Sequence, residues 1–304
     1  MNLLRAPSKD LMNLLQIAVL SLYNYDQKPD DNDPYQTVLK GINILGKLPL
    51  IICYGYQSMM HHYQMKSLII HYPRPDFSIA ENILYMLRLD GKFTPQEAKM
   101  LDTLLMVHAD HGGGNNSTFT SVAMASTGTD IYSTLAGAIG SLKGPKHGGA
   151  NVKVTKMFAD MKEKVKDWNN EGEIKDYLSR LLDKQAFDNA GLIYGMGHAV
   201  YSISDPRCKV FKQFVEKLSA EKGFEKEYQL YSNVERLAPE VIAEKRKIYK
   251  GVSANIDFYS GLMYEILGLP TELYTPLFAI ARTAGWSAHR IEELINQNKI
   301  IRPA

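Results

Sequence analysis

Apolar residues recur at spacings of three and four along nearly the whole chain, and that period commits it to helices. Leu11, Leu14, Leu15, Ala18, Val19 and Leu22 form one such stripe, with Ser8 placed to cap it. Met157, Phe158, Met161, Val165 and Trp168 form another. Ile174, Tyr177, Leu178, Leu181 and Leu182 follow, and then Val210, Phe211, Phe214, Val215 and Leu218. Each stripe reads first as core packing. A polar turn at 26–34 closes the first helix, and a second is expected from about Tyr35 to Tyr54, bent by Pro49. Asp90-Gly91 reads as a helix stop. Thr94-Pro95-Gln96-Glu97 is a capping box with proline at the first helical position, so a helix should run from there towards Val107. Strand alternation, a βαβ rhythm and internal repeats are all missing.

A chain of 304 residues can bury a large core as one big domain or two unequal ones. Polar stretches at 160–190 and 216–250 contrast with a Gly/Ala-rich run at 130–150, which looks like a closely packed helix. The contrast suggests a smaller helical domain inserted into a larger one. A net charge of +2 gives no reason to expect nucleic acid or an anionic membrane as partner. Cys53 and Cys208 are too few for a disulfide framework and lack metal-ligand spacing, which fits a reducing cytoplasm. The first residues do not read as a secretory signal, and no apolar run is expected to span a membrane.

Chemistry-bearing residues concentrate in four loops. Residues 107–120, VHADHGGGNNSTFT, hold His108, Asp110 and His111. Their HGGG resembles an oxyanion-hole run, but the GxSxG elbow that such hydrolases need is absent. A metal site built on HxDH alone is a weak reading. Residues 144–151, GPKHGGAN, surround His147 with glycines and lack the order of a phosphate loop. Residues 195–207, GMGHAVYSISDPR, start like a dinucleotide fingerprint, but Val200 stands where the last glycine belongs and no strand precedes them. They leave His198 between glycines and an Asp-Pro-Arg turn. Residues 253–261, SANIDFYSG, set Asp257 among aromatics, surroundings expected to raise its basicity. Arg282 lies in an apolar helical run and Arg302 near the end of the chain.

No serine or cysteine nucleophile has an obvious base. Three arginines suit a small substrate with two carboxylates, which guanidinium forks bind in pairs. An aspartate base with histidine donors suits proton abstraction beside a carbonyl, the donors stabilising the enol and the oxygen it attacks.

From about Leu87 onward the chain resembles the citrate synthases, carrying HADHGGGNNSTFT, GPKHGGAN, GMGHAVYSISDPR and SANIDFYSGLMYEILGLPTELYTPLFAIARTAGW in the family's order. The resemblance implies an all-α homodimer whose large domain, 1–147 and 258–304, is interrupted by a small domain, 148–257, that closes over the substrates. It implies a Si-type acyltransferase that condenses acetyl-CoA with oxaloacetate and hydrolyses citryl-CoA to citrate and CoA, without metal or redox cofactor. By motif position, Asp257 is the base, and His147 and His198 are the donors. His111, Arg207 and Arg282 hold oxaloacetate, and Arg302 acts in the neighbouring subunit's site. A 2-methylcitrate synthase using propionyl-CoA shares this machinery, since one methylene in a pocket is worth only about 1–3 kcal/mol. The first 80 residues resemble the family less distinctly, and the family's opening helices are expected to be missing. Ser202 stands where some members place a basic residue near the CoA phosphates. A truncated, non-catalytic assembly or binding protein is the reading of another class.

Overall fold

The computed structural model describes residues 7–197, 204–246, 251–296 and 299–302. Among them the regular elements are helices, with a single isolated antiparallel bridge between Met196 and Ala254. Contacts divide the chain into two compact units, Met1–Gly148 with Thr275–Ala304, and Gly149–Tyr274. The sequence reading returns the chain to the larger part at 258, whereas packing keeps residues up to Tyr274 with the inserted unit.

In the larger unit, α1 (Leu11–Ser21) starts at Asp10, whose carboxylate accepts from the backbone N–H of Met12 and Asn13. The expected cap, Ser8, instead hydrogen-bonds to the backbone of Asp10. A carboxylate that takes two orphan N–H groups outcompetes a hydroxyl two residues upstream. Helix α2 (Pro34–Gln64) runs through Pro49 and ends ten residues beyond the expected Tyr54. Burial of Ile44, Leu48, Ile51, Ile52 and Cys53 outweighs the roughly 3 kcal/mol that an interior proline costs. This helix is also long and apolar enough to cross a membrane by length and composition, contrary to expectation, but those apolar residues face the core.

Helix α3 (Ile79–Leu87) opens with a capping box between Ser78 and Glu81. Gly91 follows it in the left-handed region at φ 63°, in the expected stop. Helix α4 (Pro95–His108) carries the capping box between Thr94 and Glu97. Helices α5 (Asn116–Ala125) and α6 (Ile131–Lys143) pack together, and α6 also packs on α1. Their backbones approach closely because α6 has no side chain at two contacts: a Cβ on Gly137 would strike Met124 Sδ, and one on Gly140 would strike Gln16.

In the inserted unit, α7 (Ala150–Lys164), α8 (Glu171–Leu182), α9 (Pro206–Lys222), α10 (Glu225–Arg246) and α11 (Ile256–Ile266) share an aromatic core. Phe158 stacks on Tyr231 at 3.5 Å between centroids, and the Phe258 ring meets Phe158 edge-on at 5.5 Å. Helix α12 (Tyr274–Asn296) starts at the second boundary and buries Arg282, Trp286 and Arg290 in the larger unit.

Candidate active site

Among the described residues, His147 and Arg282 come close together in the larger unit, while Arg207 and Asp257 lie in the inserted unit. In the larger unit, α6 is capped by Asp130 and ends at Gly144. A tight turn then follows, with the N–H groups of His147 and Gly148 both donating to Gly144 O. Helix α5 is capped by Asn115, whose Oδ1 accepts from Thr118 N at 3.0 Å and from Ser117 Oγ at 2.8 Å. Packing of α5 on α6 brings the first turn of α5 to the imidazole of His147. Ser117 N donates to His147 Nε2 at 3.3 Å, and Ser117 Oγ lies 3.0 Å from the same nitrogen.

A backbone N–H can only donate, so this contact asks Nε2 of His147 to accept, which in a neutral ring puts the proton on Nδ1; the Ser117 hydroxyl fits that tautomer by sharing its one proton between Asn115 and the ring. Burial, helped by the positive charge of Arg282, holds His147 below its ordinary value and favours that neutral ring. Arg282 itself is fully buried on α12. Its Nε donates to His108 O at 2.8 Å, and its guanidinium lies 4.6 Å from the Phe278 ring centroid.

His108, Asp110 and His111 do not converge as metal ligands. His108 is buried at the end of α4 with Nδ1 against Leu104 O at 2.9 Å. Among the described residues no group of three His, Cys, Asp or Glu side chains is placed to hold a metal ion. His111 sits half-buried on the loop that joins α4 to α5. Burial pushes Asp110 up, but the N–H groups of Gly112 and His111 and the side chain of His289 outweigh it and bring the carboxyl below its ordinary range.

In the inserted unit, the segments around Gly195 and Ala254 run antiparallel. Asn255 N donates to Gly195 O at 2.8 Å, and Gly197 N donates to Ser253 O at 2.7 Å. Asn255 Nδ2 also donates to Gly197 O at 2.9 Å, while its Oδ1 caps α11 by accepting from Asp257 N at 3.0 Å. One asparagine therefore ties the backbone that leads into His198 to the helical turn that carries Asp257. His198 and Ser202 themselves lie outside the described residues.

Gly195 is required twice over: its φ is 82°, and a Cβ there would sit 2.9 Å from the Phe258 ring. The aromatics beside Asp257 point into the core, Phe258 against Phe158 and Tyr259 OH donating to Glu235 at 2.9 Å. Asp257 is half-buried in the first turn of α11, at the positive end of the helix.

Asp205 is buried as the cap of α9 and fixes Arg207. Arg207 Nε donates to Oδ1 at 3.0 Å and Nη2 to Oδ2 at 2.9 Å, a bidentate pair that sets the plane of the guanidinium. Beside Gly197 lies a cavity of about 180 Å³ lined by Leu182, Ile193, Met196, Ile242 and Arg246. Arg302 is exposed on a segment where Ile301 N donates to Ser126 Oγ at 3.0 Å.

Sequence reasoning missed Ser117, Asn255 and Asp205. Asp205 could have been read from its place before a proline-started helix. Nothing in spacing links Ser117 to a histidine thirty residues on.

A family model described as the citrate synthase C-terminal domain matches residues 1–304. The chain belongs to the citrate synthase family. It is 39% identical to a citrate synthase of Deinococcus radiodurans over 231 residues, 76% of this chain and 56% of that relative. It is 36% identical to a 2-methylcitrate synthase of Shewanella oneidensis over 262 residues, 86% of this chain and 62% of that relative. The chain thus spans less than two thirds of the length of both of these citrate synthase family members. Its fold is similar to that of a citrate synthase from Thermoplasma acidophilum solved with carboxymethyl coenzyme A and oxaloacetate. That match has a TM-score of 0.80 and 29% identity, and covers 100% of this chain and 74% of the other.

Proposed function

We propose that this chain is a citrate synthase that condenses acetyl-CoA with oxaloacetate and hydrolyses the citryl-CoA formed to citrate and CoA. The observation that carries the reading is the half-buried His147, whose Nε2 meets the N–H of Ser117 and whose charged form is disfavoured by burial and by Arg282, an arrangement that leaves Nδ1 as the donor. In this reading Asp257 takes a methyl proton from acetyl-CoA, and His147 Nδ1–H hydrogen-bonds to the thioester oxygen as the enol forms. The enol carbon attacks the ketone of oxaloacetate while His198 donates to the ketone oxygen, and water then cleaves the thioester. His111, Arg207 and Arg282 bind the two carboxylates, and Arg302 acts in the neighbouring subunit's site, which makes the working form a homodimer. No metal or redox cofactor is needed for these steps, and a cytoplasmic location fits two free, buried cysteines.

Free thiol released on mixing the protein with acetyl-CoA and oxaloacetate tests the reading directly. No release by a folded protein from pH 6 to 9 would sink it. The similarity to a 2-methylcitrate synthase supports a second reading, with propionyl-CoA as acyl donor. Comparison of kcat/KM for the two thioesters separates them. Asp257→Ala should abolish turnover and keep oxaloacetate binding; unchanged turnover would remove Asp257 as the base. A non-catalytic binding protein would release no thiol while still gaining thermal stability from oxaloacetate.

A further inference from the structure

Three consecutive residues, the last of α4 and the two that follow it, are fastened to three residues on one face of α12. Arg282 Nε donates to His108 O at 2.8 Å, Gly285 N donates to Ala109 O at 3.0 Å, and His289 Nε2 lies 3.1 Å from Asp110 Oδ1. The spacing 282, 285, 289 is that of a single helical face. A carboxylate only accepts, so in the third contact Nε2 of His289 carries the proton. The other ring nitrogen lies 3.4 Å from Glu292 on the same helix. Asp110 Oδ1 also accepts from Gly112 N at 3.1 Å, so the atom held by His289 also folds the turn around His111. Helix and loop meet with no room between them at Gly285, where a Cβ would strike Ala109 O and lie 2.8 Å from Asp110 Oδ1.

We propose that His289 is a positioning residue for oxaloacetate binding: its contact with Asp110 fixes the loop from which His111 reaches the substrate. The first two fastenings hold His108 and Ala109 by their backbone oxygens. Only the third reaches the residue next to His111, and it alone depends on side chains at both ends. His289 therefore acts through Asp110 and touches no reacting atom. The consequence for substrate rests on the citrate synthase reading, whereas the clamp on the loop is a property of the fold.

The test compares His289→Ala, His289→Gln, Asp110→Ala and the Ala/Ala double variant with the wild-type protein. Gln places an amide N–H near the position of Nε2. We expect H289A to raise KM for oxaloacetate about 5-fold, the scale of one hydrogen bond, with kcat and KM for acetyl-CoA within about 2-fold. H289Q should restore most of that loss. D110A should be at least as impaired as H289A, because it also loses the contact with Gly112 N, and the double variant should be no worse than D110A, because His289 acts only through Asp110. Amide hydrogen exchange in residues 108–114 should quicken in H289A and D110A and stay near wild type in H289Q.

Unchanged KM in H289A, an H289Q as impaired as H289A, or additive losses in the double variant would overturn the proposal. If H289A fails to fold, H289F, which fills the space of the ring but offers no donor, breaks the same contact and decides the question. A wild-type protein without turnover would refute the citrate synthase reading, and the exchange rates alone then judge the clamp. Wild-type exchange in H289A would refute the clamp whatever the activity.

Discussion

The assignment of the His147 proton to Nδ1 can be tested with two substitutions that each keep half of the imidazole. Asparagine places its amide near Nδ1 and leaves the Nε2 position empty. Glutamine reaches the Nε2 position, where its carbonyl can accept from Ser117, and leaves no donor at Nδ1. His147→Gln should therefore fold normally and lose turnover about 10²- to 10³-fold, the scale of one removed donor to a developing oxyanion, or roughly 3–4 kcal/mol. His147→Asn should retain more activity but lose stability. It leaves the N–H of Ser117, a fully buried residue, without its acceptor at 3.3 Å. An orphaned buried donor costs about 1–3 kcal/mol, and each kcal/mol lowers the melting temperature of a chain this size by about 2–4 °C. The assay is thiol release at saturating substrates beside a thermal melt of each variant. A Gln variant more active than the Asn variant would mean that Nε2 is the donor, and would refute the tautomer together with the role given to Ser117.

Two further outcomes follow from the same geometry. His147 is held below its ordinary value of 6.5, so the unfolded chain binds its proton first as pH falls. Stability from this group is complete above about pH 6.5 and is lost as pH drops through the folded value. The urea midpoint should therefore fall between pH 7.5 and 5.5 by more in the wild type than in His147→Gln; an equal fall in both would show that His147 does not titrate this way. Gly285→Ala would force a methyl into Ala109 O and should cost roughly 1–3 kcal/mol by thermal melt, with oxaloacetate binding weakened as the loop is pushed off α12; a variant as stable as wild type would refute the close approach.

How much of this could be read from sequence depends on how local each signal is. The box at Thr94 and Glu97 marked the start of α4 because both partners lie within one turn. The box at Ser78 and Glu81 is as local, yet the sequence reading marks only the stop of α3, at Asp90-Gly91, and not its start, which follows an irregular stretch. Pro49 was weighed by its local cost, while the length of α2 was decided by burial against other elements. In the site, glycine-flanked His147 stood out, but its tautomer depends on Ser117 across a helix pair, which no spacing encodes. Asp257 was noticed for its aromatic neighbours, and these turn into the core. What the sequence does not show is that Asn255 holds its turn against Gly197. Asp205 reads in the sequence as part of an Asp-Pro-Arg turn, and its fork onto Arg207 is set by the fold.

The chain leaves the larger unit after Gly148 and re-enters it at Thr275, and the hydroxyl of Thr275 donates to the carbonyl of Gly148 at 2.9 Å. Exit and return are thus one place. For the larger unit, the 126 residues from Gly149 to Tyr274 amount to an excursion from a single loop, which a short peptide across that hydrogen bond could replace. For the inserted unit, the two ends are near enough to be joined to each other. Such a layout lets each part be exchanged, shortened or permuted without rethreading the other, and a segment could have been gained here in one step.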